Sequence, residues 1–155
     1  MFENTGVLAR NEVEARFEIL NETYVKKLQI EARVMGDMCL NHVIPAAARY
    51  QNILIENVRG LKEIFGPEYL TYCSSEIETL KKISTLMNNV SAYVDALVEA
   101  RKKANRIEDI AQRAKVYSHD VKDMMDKVRE NADDLEMFID DEMWPLPKYR
   151  ELLFF

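Results

Sequence analysis

The chain has 155 residues, enough for one domain with a real core, and its 48% hydrophobic to 31% charged balance excludes a disordered or membrane-spanning protein. A formal charge of −6, from 21 Lys and Arg against 27 Asp and Glu, leaves no electrostatic footprint for nucleic acid or an anionic membrane surface. Four Gly and four Pro are too few for a sheet protein full of tight turns and favour long helices.

The first helical region is expected over 8–42 and 44–65. Val43, Ala47, Tyr50, Leu54, Val58, Leu61 and Phe65 recur at spacings of three and four, which makes one apolar stripe. Pro45 removes a backbone donor inside this region, so it should kink or split the helix. Gly66-Pro67 then ends it, with Gly suited to the C-terminal cap and Pro to a new helical start.

A second helix is expected over 68–117, started or restarted by a capping box of Ser75 and Glu78. Its stripe is Leu80, Ile83, Met87, Val90, Val94 and Leu97. Two positions compete for its end: Asn105 with Glu108, or Ser118-His119-Asp120 with Asp120 and Asp123 as caps. Arg101 to Lys115 contains only good helix formers, which favours the later turn and a helix of roughly 60 Å. The third helix, over 121–141, continues a stripe running from Ile107 through Tyr117, Val121 and Val128 to Phe138. The architecture predicted from these lengths is all-α: an antiparallel bundle of three long helices, the first kinked, with an extended aromatic tail over 143–155.

Chemical signals are weak. Cys39 and Cys73 form no CxxC pair, no signal peptide is seen, and the eight methionines suit a reducing interior, so a cytoplasmic protein is expected. Cys39 and His42 could begin a zinc site but have no third ligand nearby. Between Asp120 and Glu142 there are ten acidic and three basic residues; Asp133, Glu136 and Asp140 share a side, which reads as a solvated acidic face. The basic cluster Arg101-Lys102-Lys103, with Arg106, reads as a solvated face too. No Gly-rich phosphate loop and no nucleophile–His–acid pattern occurs, so no catalytic or metal residue is assigned.

The tail is the most informative segment. Trp144, Pro145, Leu146, Pro147, Tyr149, Leu152, Leu153 and Phe154 form an aromatic, proline-stiffened end, and the prolines bias Trp144 and Leu146 to extended geometry. Such an end should dock, either back across its own bundle or on a surface outside it.

Trp144-Pro-Leu-Pro-Lys-Tyr-Arg-Glu-Leu-Leu-Phe154 resembles the C-terminal signature of type III glutamine synthetases. Gln29–Met38, Asn41–Ala46 and Glu99–Asn105 are further blocks similar to that family, in the expected order. The resemblance implies a C-terminal helical domain without its β-rich catalytic core. In the family, glutamine is made from glutamate, ammonia and ATP through γ-glutamyl phosphate, with Mg or Mn ions, in double-ring assemblies. This chain would then carry no cofactor and no ligase activity of its own, and would pack on the catalytic core and neighbouring subunits. The alternative is a free-standing helical adaptor that binds a partner through its Trp-Pro-Leu-Pro tail.

Overall fold

The computed structural model of the chain describes residues 9–148 and 151–153. Its elements are α1 (Arg10–Met38), a π-helical turn (Cys39–Val43), α2 (Ile44–Phe65), a 3₁₀ turn (Gly66–Glu68) and the short α3 (Tyr69–Tyr72). Then come α4 (Ser74–Ala104), α5 (Ile110–Val116), a second π-helical turn (Tyr117–Val121), α6 (Lys122–Phe138) and a 3₁₀ turn in the tail (Glu151–Leu153). Among the described residues there is no strand. The expected three-armed helical bundle is present: α1 runs on into α2, α4 returns along them, and α5 runs on into α6.

Pro45 acts by widening the first arm. With no N–H of its own to return to Asn41, it is preceded by a turn that opens to π geometry, and the Ile44 N–H bonds the Cys39 carbonyl. Helix continues on both sides, with Pro45 in the first turn of α2. Gly66 ends α2 at φ 56°, a left-handed conformation that side chains with a Cβ avoid. The expected capping box at Ser75 does not form; α4 starts at Ser74 without a side-chain cap, and Ser75 Oγ donates to the Glu76 carboxylate at 2.8 Å.

The predicted second helix over 68–117 was too long. α4 has 31 residues and ends at Ala104, and the loop after it is held by side chains. The Tyr117 hydroxyl donates to Asn105 Oδ1 at 2.7 Å, and Arg113 Nε donates to the Ile107 carbonyl at 2.7 Å. Asp109 Oδ1 accepts the Gln112 N–H at 2.6 Å, so Asp109 is the N-cap of α5. Helix propensity favoured continuity through this stretch, but capping and tertiary bonds override it.

At the rival position, Ser118-His119-Asp120, the chain stays helical. The turn widens to π geometry, where Ser118 Oγ donates to the Lys115 carbonyl at 2.8 Å and His119 Nδ1 lies 2.9 Å from the same oxygen. Asp123 caps nothing and pairs instead with Lys127 at 2.9 Å inside α6. The third arm therefore begins as α5 at Ile110 and ends at Phe138, not over 121–141.

The core follows the seam between α4 and α6. Ile83, Val90 and Leu97 are buried beside Tyr117, Val121, Val128 and Leu135, and α1 adds Val25, Leu28 and Ala32. The α2 stripe is shallower: Ala47 is buried, whereas Tyr50, Leu54, Val58 and Leu61 are half-buried. Gly36 is buried where α1 meets α4; a Cβ there would stand 3.4 Å from Val94 Cγ1, an ordinary contact, so the packing does not demand glycine. Two polar ties help set the register of the arms. Gln51 Nε2 donates to Ser84 Oγ at 2.7 Å, and Asn89 Nδ2 donates to Asn131 Oδ1 at 3.1 Å.

Candidate functional site

The tail folds back on its own bundle at its proximal end. After α6, Asp140 organises a turn: its carbonyl accepts the Trp144 N–H at 3.0 Å and its carboxylate accepts the Glu142 N–H at 2.8 Å. That turn delivers the Trp144 side chain into the core, where it is 8% exposed, with Leu146 half-buried behind it. Among the described residues no acceptor reaches the buried Trp144 Nε1–H, so the indole is held by shape and apolar contact.

Lys148 locks this arrangement. Its ammonium group donates to the carbonyls of Glu136 and Ile139, both at 3.0 Å, and meets Asp141 Oδ1 at 2.5 Å. The last carbonyls of a helix lack intrahelical partners and carry partial negative charge, so a cation fits there. The backbone beyond is tied as well, with the Glu151 N–H donating to the Lys148 carbonyl at 2.9 Å.

The sequence-predicted docking residues thus separate. Trp144 and Leu146 pack on the chain itself; Pro145, Pro147, Leu152 and Leu153 are exposed, the last two at 56% and 65%. Tyr149 and Phe154 lie outside the described residues. Beside the tail runs an apolar groove of about 510 Å³ between α1 and α6. Ile30, Val34 and Met38 form one wall, Val128 and Ala132 the other, and Leu146 and Leu152 close one side. The exposed α1 residues that open this groove, Ile30 and Val34, were not singled out by sequence, because periodicity cannot separate a buried apolar position from an exposed one.

The metal-ligand candidates do not converge. Cys39 is in the core while His42 is exposed. Asp133 lies 3.5 Å from Arg129, and among the described residues no group of three His, Cys, Asp or Glu is placed to hold an ion. Burial pushes the Cys39 thiol up to about 11, so near neutral pH it stays protonated. Alkylation of Cys39 in the folded chain at pH 8 should therefore be slower by orders of magnitude than in urea; equal rates would show that the thiol is open to solvent. No helix among the described residues is long and apolar enough to cross a membrane.

Comparison with known proteins gives one consistent picture. The family model "Glutamine synthetase C-terminal domain" matches residues 1–62. A glutamine synthetase of Bacteroides fragilis is 43% identical over 149 residues, 96% of this chain and 20% of that protein. The type-3 glutamine synthetase of Dictyostelium discoideum is 29% identical over 99% of the chain and 21% of its own length. A glutamine synthetase of Butyrivibrio fibrisolvens is 27% identical, again over 99% of the chain. The chain spans about one fifth of the length of the curated relatives it matches. The resemblance carried by the tail and the three internal blocks is borne out: this helical chain is similar to the C-terminal domain of glutamine synthetases, a type III enzyme among them.

Proposed function

We propose that this chain serves as the C-terminal packing and assembly domain of a cytoplasmic glutamine-forming ligase and is not catalytic by itself. The observation that supports this best is that nearly the whole chain aligns with only a fifth of glutamine synthetases. The chemistry of ATP, Mg or Mn ions, glutamate and ammonia would then fall to residues outside these 155. The domain's contribution is surface. The exposed Pro145, Pro147, Leu152 and Leu153 offer a stiffened apolar strip to the catalytic body or a neighbouring subunit.

The adaptor alternative depends on Trp144 as the recognition residue, and that side chain is packed in its own core. An antibody raised to 144–155, used on a denaturing blot of source-cell extract, tests the proposal. A band several times heavier than 18.1 kDa, in fractions that form glutamine, is the expected result. A band at 18.1 kDa in fractions without that activity would overturn it.

A further inference from the structure

The loop between α4 and α5 builds a polar hollow against α1. Glu22, Lys26 and Gln29, at i, i+4 and i+7 on one face of α1, meet Asn105 from the loop and Ile110 and Arg113 from α5. The space between them is about 190 Å³. Drug-sized ligands fill about 300–1,000 Å³, so this hollow suits one small polar group.

Two of its donors are held in place by the fold. Arg113 donates from Nε to the Ile107 carbonyl at 2.7 Å and from Nη2 to the Glu108 carbonyl at 3.4 Å. Those bonds fix the guanidinium plane, and among the described residues nothing accepts from Nη1. Asn105 Oδ1 accepts the Tyr117 hydroxyl, which settles the orientation of the amide. Among the described residues no acceptor meets its Nδ2.

Positive charge gathers at the same place. Lys26 and Arg113 line the hollow, and Arg33 and Arg101 lie one turn from Gln29 and Asn105, near enough to act on the Tyr117 hydroxyl. Arg101, expected on a solvated face, is half-buried. Among the described residues neither it nor Arg33 pairs with a carboxylate. The carboxylates close by are fewer: Glu22 meets Lys26 at 3.5 Å, Asp109 is spent on the cap of α5, and Glu108 is exposed. The net charge of −6 does not oppose an anion here, because charges more than about 8 Å away are largely screened at physiological salt. Fixed N–H donors beside clustered cations match an oxyanion.

We propose that this hollow is a phosphate site, in which Lys26 and Arg113 neutralise the anion while the amides of Gln29 and Asn105 donate to it. A bound phosphate ties α1 to the loop and to α5, so it stabilises the fold by mass action. Such a site needs nothing outside this chain and stands apart from any part the domain plays in assembly.

The test is calorimetric titration of the purified chain with inorganic phosphate, at constant ionic strength and near neutral pH. The wild type should show saturable binding at one site. Lys26→Gln should weaken it at least about tenfold, and Glu22→Gln, which removes the carboxylate lining the hollow, should tighten it. Lys81→Gln, about 36 Å from Asn105 along α4, removes the same charge elsewhere and should change nothing. All three positions are exposed, so each variant should keep its helical circular dichroism, and opposite effects from two neighbours cannot come from unfolding. Succinate, whose two charges sit at opposite ends, should bind more weakly than phosphate. No saturable phosphate binding overturns the proposal. So does equal weakening by Lys26→Gln and Lys81→Gln, or succinate bound as tightly as phosphate.

Discussion

Trp144→Ala will lower the stability of the isolated chain by about 3–5 kcal/mol, the range for deleting a large buried aromatic. The indole is 8% exposed and packed in the main core cluster, so its loss opens a cavity where the tail meets the bundle. For a chain of this size the melting temperature should fall by roughly 6–20 °C. Trp144→Phe should cost much less, because no hydrogen bond to Nε1 is given up among the described residues. Urea unfolding of the three proteins measures this. An unchanged midpoint for Trp144→Ala would return Trp144 to the role of a free recognition residue, as the adaptor alternative requires.

A comparable loss, about 3–5 kcal/mol, is expected for Tyr117→Ala, since this ring is fully buried where α5 passes into α6. Tyr117→Phe separates the ring from its hydroxyl. It removes only the 2.7 Å bond to Asn105, at a cost of about 1 kcal/mol. The hydroxyl also makes stability depend on pH. Burial raises its pKa in the fold, and the nearby Arg101 and Arg113 offset this only in part. A group whose folded pKa is raised stabilises fully below its unfolded value and stops doing so as pH climbs through the folded one. Wild-type stability should therefore decline above about pH 10, and Tyr117→Phe should remove part of that decline. Cys39 adds to the decline in the same sense, between its ordinary 9.0 and about 11.

Apolar periodicity located the arms well, because a stripe that must be buried leaves a regular trace whatever it packs against. The Val90, Val94 and Leu97 series and the Val121, Val128 and Leu135 series are the core. Gly66 and Pro45 were readable for a different reason: each imposes a backbone constraint that no neighbour can cancel. The loop after Ala104 was not readable. Its decisive bonds join Asn105 to Tyr117 and Ile107 to Arg113, pairs that meet only once the helices have folded back. The two π-helical turns left no distinct periodic trace, since the buried positions through them, Cys39, Val43 and Ala47 and then Tyr117, Val121 and Met125, keep the spacing of four that an ordinary helix also shows. In the tail, composition signalled docking but not where. The Lys148 contacts that decide it depend on three-dimensional placement across nine and twelve residues.

The Lys148 clamp also bears on how quickly the chain comes apart. Its acceptors, the carbonyls of Glu136 and Ile139, are brought together only once the end of α6 has formed, so the clamp is expected to close after the transition state. Interactions absent from the transition state govern escape from the native state and leave the rate of reaching it nearly untouched. Lys148→Met should thus steepen the loss of native signal in stopped-flow unfolding while the refolding limb stays in place. The few residues after α6 would then act as a kinetic brake on a bundle whose helices assemble without them.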